Sequence, residues 1–174
     1  MKKLILFLLV LSMSFSSCEK DDICEETTAT TPKLIIEFYD ILNPTVLKNV
    51  TNLAVKEIGI TSAVISFISE SKIELPLKTN EDSTKYSFVL NAGNTNTSLI
   101  YTDVLQFNYS RKTVFVSRAC GFKTLFDLNN DVSLPNPYII NNTPTASQGI
   151  WIKNITVEKY NLETENETHI KIYF

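Results

Sequence analysis

Histidine is almost missing from this chain, and its scarcity limits the chemistry that the chain can support. His169 is the single histidine among 174 residues. Its alternation with Ile170 and Ile172 predicts that it lies on the exposed face of a final strand. A zinc site needs three or four His, Cys or carboxylate ligands, and a nucleophilic serine or cysteine needs a base within reach. We therefore expect no metal site, no cofactor, no catalytic residues and no enzymatic activity.

Glycine clusters, helical periodicity and basic patches are scarce as well. The four glycines are scattered singly, which excludes a glycine-rich phosphate loop. No window of about eleven residues repeats apolar positions at a spacing of three and four, which argues against amphipathic helices. The formal net charge is −3 and clustered cations are few, so the sequence offers no electrostatic footprint for nucleic acid.

The N-terminal residues form the clearest motif in the chain. Lys2 and Lys3 precede an uncharged apolar run at residues 4–11, and a serine-rich segment at residues 12–17 follows it. A basic start, an apolar centre and small residues before a processing point are typical of a secretory signal peptide. The run is too short for a membrane span, which needs about 20 apolar residues. We assign residues 1–17 to a signal peptide.

A cysteine stands directly after this signal. Phe15, Ser16 and Ser17 precede Cys18, and this segment resembles a bacterial lipobox, although Phe15 replaces the usual aliphatic residue. The resemblance implies that Cys18 is acylated and becomes the first residue of the mature protein. Two or three acyl chains anchor a protein stably, whereas one chain binds only marginally. The alternative is an ordinary signal peptide in which Cys18 is a plain thiol.

The residues after Cys18 suggest a destination. Lys20, Asp21 and Asp22 resemble the surface-export signal of lipoproteins from Bacteroidota. The resemblance implies an outer-membrane protein that faces the cell surface, with the periplasmic face as the alternative. Residues 18–32 are acidic and threonine-rich and end in a proline, so we interpret them as a tether. The tether can also be read as an acidic, solvated linker without an address.

Two further cysteines, Cys24 and Cys120, remain after Cys18 is assigned to lipid. Leftover cysteines in an oxidising compartment usually pair, so we predict a Cys24–Cys120 disulfide that pins the tether to the body. A buried free Cys120 and a reactive thiol are the alternatives. The alternation of Cys120, Phe122 and Phe126 predicts that Cys120 is buried among aromatic side chains.

Residues 33–174 contain many short segments with a period of two, separated by polar turns. About nine strands at regular spacing predict an all-β, two-sheet antiparallel sandwich of the immunoglobulin or transthyretin kind. A lipocalin-like barrel is the alternative. Residues 69–72 and 110–112 are polar and are interpreted as hairpin turns. Pro76 predicts that its strand lies at a sheet edge, because proline cannot donate to the ladder.

Two short motifs hint at calcium and at glycosylation. Asp127, Asn129 and Asp131 match the start of a calcium loop, but Val132 and Tyr138 occupy the positions of the required glycine and glutamate. An Asx-rich turn is the simpler interpretation, and a looser calcium site is the alternative. The triplet formed by Asp82, Ser83 and Thr84 resembles an O-glycosylation motif of Bacteroidota envelope proteins. It implies Ser83 as the acceptor, in an exposed loop.

Aromatic and acidic residues leave two further functions open. Exposed rings stack on sugars or peptides, although packing within the fold is the simpler role for each of these candidates: Tyr101, Tyr138, Trp151 and Tyr160. Glycoside hydrolysis needs two facing carboxylates, and the sequence cannot pair any of the available ones: Glu37, Asp40, Glu57, Glu70, Glu74, Asp103 and Glu158.

The chain as a whole resembles a family of uncharacterised Bacteroidota lipoproteins, a domain of unknown function. The resemblance lies in Cys24, in the opening strand at residues 31–38 and in the segment at residues 117–122. It implies a small exported β-domain and carries over no catalytic residues. We expect a non-enzymatic, lipid-anchored module that binds an unknown protein or organises the envelope, with a surface glycan-binding accessory protein as the alternative.

Overall fold

Strands make up nearly all the regular structure in the computed structural model. It describes residues 23–25, 27–28, 30–59, 61, 64–140 and 150–174. Within them the sole helical element is a short 3-10 turn at Thr97–Leu99. The strands are β1 (Leu34–Tyr39), β2 (Val50–Glu57), β3 (Ile65–Glu70), β4 (Lys72–Leu75), β5 (Ser83–Leu90), β6 (Tyr101–Ser117), β7 (Gly121–Leu128), β8 (Tyr138–Ile140), β9 (Asn154–Val157), β10 (Asn161–Leu162) and β11 (Ile170–Tyr173). The predicted all-β class is confirmed.

The strands form two open sheets. The smaller sheet has four strands in the order β4-β1-β11-β9. The larger sheet has seven, in the order β10-β7-β6-β5-β2-β3, with β8 paired to β6 beside this path. The predicted two-sheet sandwich is therefore confirmed, and the alternative of a closed barrel does not apply to the described strands.

The centre of the smaller sheet departs from the expected antiparallel pairing. β1 and β11 run parallel, with Ile36 opposite Ile170 and Phe38 opposite Ile172. The outer pairs of this sheet are antiparallel, β1 with β4 and β11 with β9. Strands from the two ends of the described body thus meet in the middle of one sheet.

Alternating burial places the hydrophobic core between the sheets. In β5, the buried side chains of Thr84, Tyr86 and Phe88 alternate with half-buried ones, as a strand with one core face requires. The core cluster collects apolar side chains from both sheets: Leu34, Ile36, Phe38, Val50, Leu53, Val55, Ile73, Leu75, Leu77, Tyr86, Phe88, Leu105, Phe107, Tyr109, Phe126, Leu128, Trp151, Ile152, Ile155, Leu162, Ile170 and Ile172.

The predicted hairpin turn at residues 110–112 is wrong. β6 continues through it as one strand from Tyr101 to Ser117. Ser110, Arg111 and Lys112 are exposed, which explains their polarity, and the segment contains none of the glycine, proline, asparagine or aspartate that favour turns most strongly. Arg111 is fixed from the neighbouring loop, since its Nε donates to Asp82 Oδ1 at 2.7 Å.

The predicted hairpin turn at residues 69–72 is also wrong. β3 pairs with β2 in the larger sheet, whereas β4 pairs with β1 in the smaller one, so the chain crosses between sheets there. The carbonyl of Ser71 at the crossing accepts from the Phe38 amide at 2.8 Å. The prediction for Pro76 is confirmed, because it follows β4, which forms an edge of its sheet.

The chain divides into two compact units. One unit combines the N-terminal segment up to Thr28 with Val114–Lys123, the distal part of the β6–β7 hairpin. The other unit comprises Ala29–Thr113 and Thr124–Phe174 and contains the hydrophobic core described above.

Candidate anchoring and binding sites

A disulfide links the N-terminal segment to the β6–β7 turn. Cys24 and Cys120 are bonded, with their Cα atoms 4.8 Å apart and a sequence separation of 96, as predicted from the sequence. The turn itself is held by the Cys120 amide, which donates to Ser117 Oγ at 3.0 Å. Gly121 follows with a φ of 70°, a conformation that L side chains rarely adopt.

The predicted burial of Cys120 is wrong. Cys120 is half-buried, and Phe122, two residues later in the same alternation, is 68% exposed. Only the far end of β7 faces the hydrophobic core, where Phe126 and Leu128 are buried. The buried positions of the strand alternation are confined to its second half, and Gly121, Phe122 and Lys123 in its first half are half-buried or exposed.

The predicted anchoring residues Cys18, Lys20, Asp21 and Asp22 lie outside the described residues. Within the described part of the chain, no helix has the length and apolar character needed to cross a membrane.

His169 corrects the expectation of an exposed surface residue, because it is only 1% exposed. Its Nδ1 accepts from the Ile35 amide at 3.0 Å, and its own amide donates to the Ile35 carbonyl at 3.1 Å. The ring thus completes the β1–β11 pairing just before β11 begins. Burial, with the charges of Lys159 and Lys72, lowers the pKa of His169 to about 4.

Most of the carboxylates considered for catalysis are held by cations or by other donors. Lys33 pairs with Glu74 at 3.0 Å, Lys171 with Glu158 at 3.1 Å, Lys78 with Glu57 at 3.5 Å and Lys48 with Asp40 at 3.7 Å. Tyr39 Oη donates to Glu37 at 2.9 Å. These contacts join neighbouring strands and loops, so each of these carboxylates has a structural partner.

Asp103 is the one buried acid among these candidates. It is 1% exposed, and burial raises the pKa of its carboxyl. Its Oδ2 accepts from the Ile152 amide at 2.8 Å. This bond fastens the segment before β9 to β6, so Asp103 has a structural partner rather than a substrate-facing position.

The calcium-like segment forms an Asx turn. Asp131 Oδ1 accepts from both the amide and the hydroxyl of Ser133 at 2.8 Å, and these bonds lower the pKa of Asp131. Asp127 and Asn129 line the same shallow surface hollow. Across the described residues, no group of three or more His, Cys, Asp or Glu side chains is arranged to hold a metal ion.

Ser83 does not lie in an exposed loop as expected. It is the first residue of β5, is half-buried and pairs with Asn108 of β6. Thr84 after it is buried and shares a 2.6 Å hydrogen bond with Tyr109 Oη. The exposed part of this motif is Asp82, which pairs with Arg111.

Two of the four aromatic candidates share a cleft. Tyr138 and Tyr160, both half-buried, line it together with Asn136, Pro137 and the β9 side chains Ile155 and Val157. The cleft has a volume of about 380 Å³. Tyr138 Oη donates to the Ile155 carbonyl at 2.9 Å, which fixes one ring at the edge of the smaller sheet.

The other two candidates have structural roles. Trp151 is 5% exposed and belongs to the core, and its Nε1 donates to the Phe88 carbonyl at 3.3 Å. Tyr101 is half-buried at the start of β6 and packs against the core cluster. Both rings therefore pack within the fold, which is the simpler of the two roles that the sequence suggested.

An exposed aromatic pair escaped the sequence analysis. Phe115 of β6 and Phe122 of β7 are 57% and 68% exposed. Their ring centroids lie 5.3 Å apart in an edge-to-face arrangement. Strand alternation predicts side chains on a common face, but it cannot show whether that face is exposed or buried.

These features define a class, a small all-β sandwich whose N-terminal segment is disulfide-bonded to a β-hairpin turn. A family model described as "Family of unknown function (DUF6452)" matches residues 49–174, which is more than half of the chain. The chain belongs to this family, and the expectation of a family without an assigned activity is confirmed. Searches of curated proteins and of solved structures found no match.

Proposed function

We propose that this protein is a lipid-anchored envelope lipoprotein of the Bacteroidota kind, acylated on Cys18 and held at the outer membrane facing the cell surface. Residues 1–17 are the signal peptide, residues 18–32 the tether and residues 33–174 the β-sandwich domain. The domain is a non-enzymatic module that binds a partner or organises the envelope. Its partner is an unknown protein or glycan.

The observation that carries this proposal is the Cys24–Cys120 disulfide. Disulfides persist in oxidising compartments outside the cytosol, which agrees with the export signal in the sequence. Cys24 lies six positions after Cys18, so the bond fixes the segment that follows the anchor covalently to the β6–β7 turn. A free tether would need no such clamp, whereas a surface-anchored domain gains a defined attachment point.

Cys18→Ser tests the anchor, with metabolic labelling by an alkyne fatty acid and membrane fractionation in a Bacteroidota host. We expect the variant to lose the acyl label and to leave the membrane fraction. A variant that keeps its label would overturn the lipidation of Cys18. Because Cys24 and Cys120 stay paired, the folded domain remains intact as an internal control.

The triple variant K20A/D21A/D22A tests the surface address. Lipidation is expected to stay unchanged, while the domain becomes protected from protease added to whole cells. Glu25→Ala provides a matched control, because it removes an acid of the tether outside the triplet. Unchanged protease access in the triple variant would remove surface export from the proposal and leave the periplasmic face.

A second candidate function, a surface glycan-binding accessory protein, is favoured by the Tyr138–Tyr160 cleft. Aromatic contacts of this kind contribute about 0.5–1.5 kcal/mol each, so Tyr160→Ala is expected to weaken binding about 2- to 10-fold. The measurement is glycan-array binding followed by calorimetry on any hit. Tyr101→Ala is the control, since Tyr101 lies outside the cleft. A wild-type chain that binds no glycan on the array removes this candidate.

A further inference from the structure

The tip of the β6–β7 hairpin carries two adjacent aromatic rings that are exposed. Phe115 and Phe122 form an exposed edge-to-face pair, and Ile23 in the same compact unit is 79% exposed. Single exposed apolar side chains are common and need no explanation. Paired exposed rings are different, because contiguous apolar surface marks contact sites.

The Cys24–Cys120 bond limits how far this tip can be from Cys18. Five residues stand between Cys18 and Cys24, so a fully extended segment spans at most about 22 Å. The Cα atoms of Cys24 and Cys120 are 4.8 Å apart, and Phe122 follows Cys120 by two residues. An acyl chain on Cys18 therefore keeps the aromatic pair within roughly 35 Å of the bilayer, at a high effective concentration.

The side chains at the tip suit the bilayer interface. Aromatic rings bury well at the boundary between headgroups and acyl chains, and apolar side chains of surface-bound segments enter it by about 5–10 Å. Arg118 at the turn is exposed and Lys123 is half-buried. Cations at these positions can face phosphate groups, while the acidic residues of the tether oppose a stronger attraction to anionic lipid.

We propose that, given the acylation of Cys18 proposed above, the Phe115–Phe122 tip is a second membrane contact that inserts into the lipid headgroup region. The occupant is a lipid bilayer rather than a second copy of the chain or a protein partner, because five residues and one disulfide join the acylated Cys18 to this same hairpin tip. Acylation holds the protein at the membrane, and the aromatic pair fixes which part of it lies against the lipid.

Fluorescence quenching by brominated phosphatidylcholine tests this contact. The acylated protein carrying Phe122→Trp is reconstituted into vesicles, and its emission is compared with that of the wild type, whose single tryptophan, Trp151, is buried. We expect at least about a twofold loss of the added emission at an insertion depth of about 5–10 Å. Val132→Trp is the matched control, because Val132 is fully exposed outside the hairpin tip. Its emission should stay unquenched.

Each outcome separates this contact from the anchor. Mass measurement first establishes whether Cys18 is acylated. If it is acylated and Phe122→Trp is not quenched, the membrane contact is wrong while the anchor stands. If it is not acylated, the anchor is wrong, and the mature chain is attached through its free Cys18 thiol to maleimide-lipid vesicles for the same measurement. Quenching then still supports the contact, and its absence overturns it.

A competing occupant is detected with the same Phe122→Trp variant in solution, without vesicles. If the tip packs against a second copy, light scattering gives a dimer and Phe122→Trp emission shifts without quenching, which overturns the proposal. The variant F115S/F122S supplies the converse evidence. It should keep the folded far-ultraviolet spectrum, because both rings are exposed, while membrane protection of the hairpin from hydrogen exchange is lost.

Discussion

Replacing Trp151 with alanine is expected to lower the free energy of unfolding by about 3–5 kcal/mol, the usual cost of deleting a large buried ring. Trp151 stacks on Phe38 at 6.4 Å between centroids and meets Phe174 edge-to-face at 5.3 Å. It therefore joins the segment before β9 to the central strand of the smaller sheet. Urea unfolding followed by far-ultraviolet circular dichroism measures the change without depending on tryptophan emission.

Two further variants make the origin of this loss clear. Trp151→Phe keeps most of the ring but removes the Nε1 bond to the Phe88 carbonyl, so it should cost less than the alanine variant. Phe122→Ala removes an equally aromatic but exposed side chain, and surface changes of this kind stay within about 0.5 kcal/mol. Equal losses for Trp151→Ala and Phe122→Ala would contradict the core role of Trp151.

Acidification is expected to destabilise the domain through His169. Its pKa is about 4 in the folded protein and ordinarily about 6.5 in an unfolded chain. The folded state therefore disfavours the charged imidazolium, so the stabilising term is fully present above pH 6.5. It is lost progressively as the pH falls toward 4, by about 3 kcal/mol in all. Urea unfolding at a series of pH values between 7 and 4 measures this slope.

His169→Asn is the matched variant for this titration. The asparagine Oδ1 can replace Nδ1 as the acceptor for the Ile35 amide, but it carries no titrating proton. We expect a flatter pH dependence than in the wild type between pH 6.5 and 4. His169→Leu removes the acceptor and leaves a buried amide unpaired, which costs about 1–3 kcal/mol relative to His169→Asn at every pH. An unchanged slope in His169→Asn would assign the pH effect to other groups.

Much of the sandwich follows from local alternation, as β5 shows. Thr84, Tyr86 and Phe88 are buried every second residue, and a period of two allows few other structures. Pro76 likewise identified an edge without any knowledge of its partners. The alternation in β5 and the position of Pro76 depend only on neighbouring residues, so both can be recognised in the sequence.

The misplaced features depend on distant partners. Residues 69–72 and 110–112 are both polar, yet one segment crosses between sheets and the other continues a strand. Polarity reports exposure, and exposure is shared by turns, crossings and the outer faces of strands. The prediction that His169 is exposed was wrong for a related reason. His169 is buried where it bonds the Ile35 amide, 134 positions away in sequence. No local pattern in the sequence indicates that contact.

The candidate sites divide in the same way. The Cys24–Cys120 pairing could be inferred by elimination, since only two cysteines remain once Cys18 is assigned. The Tyr138–Tyr160 cleft and the exposed Phe115–Phe122 pair could not, because each depends on which rings lack a covering layer. An aromatic residue in a strand looks alike whether it faces a core or solvent.

The parallel pairing of β1 with β11 sets the order in which the protein can assemble. β11 lies between β1 and β9, so the smaller sheet has a gap at its centre until Ile170–Tyr173 is available. β1 and β9 cannot complete this sheet while β11 is still being synthesised. Contacts of such long sequence separation also form slowly. A partly synthesised chain that lacks β11 therefore leaves the smaller sheet incomplete at its centre.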